Sequence, residues 1–300
     1  MESTAKISRL SRGWQITKSS WRVLKLDKEL AALPLVSFTI QLLALVPFVL
    51  VAIALRANNQ LNNWRDFAFT LALYFVLALI TNFFAGAVIF GATQRFRGEN
   101  PTISSSLAGA WRKFGPLAAF SLMMATIGLA LRMLEDRVPF AGRIAVDLLG
   151  AAWSIANVFA LPVIVLSEGS VAPFDATKQS VHTIKQIWGE SIVVNLGIGF
   201  VSGLAVLGYI LIWAIIAAVP FMLPIAAPGA PGFSIPGAVF IPVVLLAVGG
   251  FIALIAVLSV LSSIAKAALY HYATSGQAPE AFNAELLRTS MTPKKARKVF

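Results

Sequence analysis

The stretch Leu33-Pro-Leu-Val-Ser-Phe-Thr-Ile-Gln-Leu-Leu-Ala-Leu-Val-Pro-Phe-Val-Leu-Val-Ala-Ile-Ala-Leu55 contains no charged residue and is long enough to cross a bilayer as one helix. A hydrocarbon core requires about 20 apolar residues in helical form, because only a helix satisfies its own backbone hydrogen bonds where water is absent. Stretches 67–91, 114–134, 144–166, 191–223 and 237–270 read the same way. The last two exceed that length, which calls for tilt, a kink or a protruding end. No Asp, Glu, Lys or Arg occurs from Ser191 to Ala265, and only a proline- and glycine-rich connection over 220–236 interrupts that run. The expectation is an all-α polytopic membrane protein with six transmembrane helices in residues 33–270. Residues 1–32 form a basic amphipathic helix and 271–300 a basic tail.

Composition agrees. The 300 residues are 58% hydrophobic and only 12% charged, against about 25% charged in a soluble domain. The formal net charge of +11 would suggest nucleic acid in a soluble protein. In a membrane protein it reads as positive-inside loops and contact with anionic headgroups, so lipids are the expected partners and nucleic acid is not. The chain has no Cys and two His, which excludes disulfides and thiolate metal sites and leaves no basis for a metal or cofactor.

Basic residues outside the spans set the orientation. One side gathers 19 of the 24, from Lys6, Arg9, Arg12, Lys18, Arg22, Lys25 and Lys28 through Arg95, Arg97, Arg112, Lys113, Lys178 and Lys185 to Lys266 and the tail. The other side holds Arg56, Arg65, Arg132, Arg137 and Arg143. Both termini are therefore expected in the cytoplasm and the protein in the cell membrane.

An internal repeat organises the spans. Asn82-Phe-Phe-Ala-Gly-Ala-Val-Ile89 and Asn157-Val-Phe-Ala-Leu-Pro-Val-Ile164 coincide at Asn, the second Phe, Ala, Val and Ile, at an offset of 75 residues. A turn follows each even-numbered span, at Gly98-Glu-Asn-Pro101, Gly169-Ser-Val-Ala-Pro173 and Gly276-Gln-Ala-Pro279. The simplest arrangement is three units, each an interfacial amphipathic helix plus a two-span hairpin. In the first such helix Ile7, Leu10, Trp14, Thr17, Trp21 and Leu24 recur in steps of three and four, with Arg9, Arg12, Lys18, Arg22 and Lys25 around them. Phe174, Thr177, Val181, Ile184 and Trp188 repeat the spacing. Such helices lie in the headgroup plane, so Trp14, Trp21, Trp111 and Trp188 are expected to anchor a cytoplasmic-side collar.

Few residues suggest chemistry. Arg132, Arg143 and Asp147 share the outer level of spans three and four, where an interfacial ion pair accounts for them better than a coupling-ion site. No charge falls at the midplane, which argues against a carboxylate-relay pump. Asn82 and Asn157 occupy matching repeat positions and Asn195 enters span five from the same side. They could ring a polar cavity. Hydrogen bonding across helices, at about 0.6 kcal/mol each, is the better reading because no charge accompanies them. Gly199-Phe-Val-Ser-Gly203 is a small-xxx-small pattern that suits packing within the chain or a homo- or hetero-oligomer alike. No catalytic motif is recognisable, and the chain is not expected to be an enzyme.

The run Gly13-Trp14…Ser20-Trp21-Arg-Val-Leu-Lys-Leu-Asp-Lys-Glu-Leu30, continuing into Leu33-Pro-Leu-Val-Ser37, resembles an uncharacterised prokaryotic family of six-span membrane proteins. More distantly, the repeated interfacial-helix and hairpin layout is similar to the membrane domain attached to some glycerophosphodiester phosphodiesterases. The resemblance implies a fold and a membrane location and carries no catalytic residues. The expected function is that of a non-enzymatic membrane protein that organises or binds lipid, or of the membrane subunit of an assembly. The alternative is a transporter or channel for a small or amphiphilic solute.

Overall fold

The structure is a computed structural model that describes residues 9–57, 63–188, 197–222 and 237–282, and among these every regular element is a helix. The order is α1 (Arg9–Leu26), α2 (Glu29–Ala57), α3 (Asn63–Phe96), α4 (Ile103–Trp111), α5 (Phe114–Glu135), α6 (Phe140–Ala156), α7 (Ala160–Leu166), α8 (Pro173–Trp188), α9 (Gly197–Met222) and α10 (Gly237–Ser275). Three times over, a shorter helix precedes a long hairpin: α1 with α2–α3, α4 with α5 and α6–α7, α8 with α9–α10. The first and third hairpins end alike. Gly98 (φ 80°) and Gly276 (φ 70°) adopt the left-handed conformation that closes a helix without a Cβ penalty, three residues before Pro101 and Pro279.

The spans agree with the sequence in number of helices more than in their ends. Among the described residues, five helical segments, Glu29–Arg56, Trp64–Phe96, Phe114–Glu135, Gly142–Leu166 and Pro242–Ser275, are long and apolar enough to cross a membrane. The remaining expected span, 191–223, contains α9, Gly197–Met222, whose side chains are described over the apolar stretch Ser202–Ile216. The chain is thus a polytopic helical membrane protein. Its first span begins at Glu29, since Asp27 and Lys28 alone separate α1 from α2, and its last continues to Ser275.

The fourth span is not one continuous helix. Pro162 has no N–H to give to the carbonyl four residues back, and its ring crowds that carbonyl, which belongs to Val158. The helix accordingly stops at Ala156 and restarts at Ala160. At the break Asn157 Nδ2 donates to Trp153 O (2.8 Å), which also accepts from Asn157 N, and Phe159 N donates to Ser180 Oγ on α8 (3.0 Å). The corresponding position in α3 is Ala87, and α3 runs unbroken.

Burial is uneven along the helices. Leu30 and Leu33 of α2, Val88 and Ile89 of α3, Leu117 of α5, Phe159 to Ile164, Ile184 of α8 and Val260 to Ile264 of α10 form one core. These positions sit toward the same end of their hairpins. The other halves of the spans expose large apolar side chains, among them Leu50, Ile53, Leu148, Ile215 and Leu246, as helices facing hydrocarbon do.

Candidate membrane-interface site

Polar contacts gather at the end of the bundle where the core is densest. Asp27, in the two-residue link between α1 and α2, has a side chain only 3% exposed. Arg95, in the last turn of α3, places Nε and Nη2 on its two carboxylate oxygens, a bidentate pair. Arg95 Nη2 also donates to Asn100 Oδ1 (2.8 Å). Glu29 Oε2 accepts from Ile103 N (3.0 Å), an otherwise free donor in the first turn of α4. Thr102 and Ser105 cap that turn reciprocally, and Ser105 Oγ donates to Gln94 Oε1 (2.9 Å). The α1–α2 corner, the end of α3 and the start of α4 are thereby fastened together.

The second unit has a clasp in the same place with other chemistry. Lys113, in the α4–α5 link, donates from Nζ to Ser167 O (2.6 Å) and Gly169 O (2.8 Å), just beyond α7. In these first two units a charged residue at the corner between short helix and hairpin grips the far end of that hairpin. Sequence reasoning counted Arg95 and Lys113 only as positive-inside charges and gave Asp27 no role. One signal was present: Asp27 is the single acidic residue among the basic ones between Arg9 and Lys28.

The short helices follow the expected spacing in part: the described aromatic side chains face outward, while Leu24 of α1 and Thr177 and Ile184 of α8, members of the same stripes, face the bundle. In α1 the buried positions are Ile16, Ser19, Ser20, Val23 and Leu24, packed on α9 and α10, whereas Trp14 and Trp21 are exposed. At about 100° per residue the Trp stripe lies well over a quarter-turn from the Ile16–Ser20–Val23 face. In α4, Ser106, Gly109 and Ala110 are buried and Trp111 is exposed. In α8, Ala176, Thr177, Ser180 and Ile184 are buried and Phe174 is exposed. Mostly small residues thus face the bundle, while the bulky aromatic faces outward. Around the exposed stripe of α1, Lys25 Nζ sits 5.9 Å from the Trp21 ring and Lys18 and Arg22 are exposed. Trp188 closes α8, and its side chain lies outside the described residues.

The asparagines are engaged within the protein. Asn82 Nδ2 donates to Ser121 Oγ, joining α3 to α5 (2.9 Å), and Asn157 Oδ1 accepts from Thr177 Oγ1 on α8 (2.7 Å). Each is part-buried at a helix contact, so the two matching repeat positions do not converge on one cavity. Asn195 lies outside the described residues.

The outer grouping of Arg132, Arg143 and Asp147 needs correction. Arg132 Nη1 donates to Tyr74 Oη (2.5 Å), linking α5 to α3, and Arg143 and Asp147 are exposed on α6. Among the described residues the ion pairs are Asp27–Arg95 and Asp175–Lys178. The neutral phenol wins because α3 lies against α5 at that level, whereas Asp147 faces away from the bundle. Tyr74 and Arg95 are about 31 Å apart along α3 at 1.5 Å per residue, close to the thickness of a hydrocarbon core. Among the described residues no three His, Asp or Glu side chains gather to hold a metal ion.

No curated protein matches the chain, and no solved structure does. The likeness to the membrane domain of glycerophosphodiester phosphodiesterases is left without support. The N-terminal run that carried the other resemblance precedes the matched part of the chain, which extends from the start of α3 through α10. Residues 66–280 match the profile of a family of unknown function (DUF6159), and the chain belongs to that family.

Proposed function

We propose that this is a non-enzymatic protein of the cell membrane, both termini cytoplasmic, that binds and organises lipid through its interfacial helices, alone or as the membrane subunit of an assembly. The observation that carries the reading is the outward face of α1, where exposed Trp14 and Trp21 stand beside exposed Lys18, Arg22 and Lys25. An aromatic stripe flanked by basic side chains matches a headgroup boundary, and each Lys or Arg near an anionic leaflet contributes about 1 kcal/mol. The internal hydrogen bonds of Asn82 and Asn157 favour this over a solute pathway lined by them.

The test is native mass spectrometry of the full-length protein released from mixed phosphatidylglycerol and phosphatidylcholine micelles. Preferential retention of phosphatidylglycerol is expected, and a Lys18→Gln/Arg22→Gln/Lys25→Gln variant should lose it. Equal retention of both lipids by the unaltered protein overturns the proposal.

A further inference from the structure

A second lipid-facing feature lies away from the basic collar. A cavity of about 310 Å³ opens between α2, α3 and α10, at the lower end of the range for small-molecule sites. Its walls are largely apolar, with Phe38, Phe84, Phe251 and Ile255 among them, and a polar strip runs through it at Ser37, Gln41, Thr81 and Ser259. Gln41 is about 18 Å along α2 from Glu29 and about 22 Å from Arg56. The strip therefore lies near the middle of the span, where a polar group without a partner is costly.

The hydrogen bonds within the strip fix which atom is unused. Thr81 Oγ1 donates its proton to Leu77 O (2.8 Å), so toward Gln41 it can only accept. Gln41 Nε2 accordingly donates to Thr81 Oγ1 (3.4 Å) and to Ser37 Oγ (3.1 Å), which uses both amide protons. Gln41 Oε1 is left as an acceptor with no donor among the described residues, on the wall of the cavity. Across it Ser259 carries a hydroxyl with no hydrogen bond among the described residues. The cavity thus offers one acceptor, the hydroxyl of Ser259, the remaining O–H of Ser37, apolar walls and no charge.

We infer that this cleft binds an uncharged lipid bearing a free hydroxyl, the class to which diacylglycerols and polyprenols belong. The lipid hydroxyl donates to Gln41 Oε1 and accepts from Ser259 Oγ, satisfying both at once, while a hydrocarbon chain lies along Phe38, Phe251 and Ile255. A phospholipid is disfavoured, because its phosphate would have to leave the headgroup region for a site with no cation. An ester or ether oxygen cannot serve Gln41, which needs a donor. This site and its lipid chemistry differ from those of the anionic collar, so either proposal can fail while the other stands.

The experiment uses the full-length protein in phosphatidylcholine nanodiscs, photolabelled with a diacylglycerol carrying a diazirine in one acyl chain. A matched probe has the hydroxyl capped as a methyl ether. The free-hydroxyl probe is expected to label peptides containing Phe38 and Phe251 about tenfold more than the capped one, the effect of roughly one well-made buried hydrogen bond. Gln41→Leu should bring labelling down to the capped level, and Ser259→Ala should lower it by a smaller factor. Filling the cleft with Ala256→Phe should abolish it, and the two polar variants keep the test valid if that bulky one does not fold. Displacement by unlabelled dioleoylglycerol or by a polyprenol identifies which source of hydroxyl the site takes. Equal labelling by capped and free probes, labelling unchanged in Gln41→Leu, or displacement by neither lipid overturns the inference.

Discussion

Asp27 is nearly enclosed and its carboxylate is held by both prongs of Arg95, so removing the partner leaves a charge with nowhere to go. Breaking a buried ion pair from one side costs about 3–5 kcal/mol. Arg95 retains 26% exposure and can rehydrate, which places Asp27→Asn at the lower end, about 3 kcal/mol. Thermal unfolding of the purified protein in detergent should fall by roughly 10 °C. The double variant Asp27→Leu/Arg95→Leu should lose less than Asp27→Asn, since neither charge is then stranded. A single variant that unfolds with the native midpoint would show that the pair carries no stability. At this scale the sequence was least legible. The pair joins positions 68 residues apart, and nothing local in Leu26-Asp27-Lys28 announces a partner. Asn82 and Asn157 were legible as helix-bridging side chains, because an uncharged amide in a membrane span has few alternatives to a neighbouring helix. Arg132 was misplaced, because depth in a span is readable from sequence whereas azimuth is not.

Helix elements were easier to foresee than the faces they present. A run of 23 uncharged residues has little choice in a bilayer, so the long helices follow from composition. The break at 157–159 needed one more inference, that Pro162 acts on the carbonyl four residues before it. For the short helices the aromatic positions lie on the outward face, but Leu24, Thr177 and Ile184 of the same stripes turn inward with the small residues. That inward face is tight. A Cβ on Gly109 of α4 would sit 2.3 Å from the ring of Phe90 on α3, and one on Gly91 of α3 would sit 2.4 Å from Ser106 Oγ. Gly109→Ala must displace an aromatic ring and should destabilise by about 1–3 kcal/mol. Gly128→Ala, in α5 with nothing within 4 Å of its Cβ, should be neutral or stabilising by up to about 1 kcal/mol through helix propensity. Chemical denaturation of the two variants in mixed micelles checks the contrast. Equal effects would mean that α4 does not pack against α3 as closely as described.

On the scale of the whole molecule, the three repeated units make a prediction about crossing number. The links after α3, α7 and α10 follow equivalent hairpins, while the α5–α6 link lies at the opposite end, near Arg132 and Tyr74. Each hairpin returns the chain to its starting side only if both of its helices cross. For α9, whose 26 residues from Gly197 to Met222 carry no charge, crossing is expected. The chain contains no Cys, so single cysteines report position without background. Glu99→Cys, Glu168→Cys, Ser275→Cys and Arg137→Cys all fall at exposed positions in or beside these links. A membrane-impermeant maleimide applied to intact cells should label Arg137→Cys alone, and permeabilisation should expose the other three. The reverse pattern would invert the orientation argued from the basic residues while preserving the fold. Labelling of Glu168→Cys and Ser275→Cys on opposite sides would mean that α9 does not cross. In that case the third unit departs from the hairpin plan of the first two, and the basic collar is divided between the two faces of the membrane.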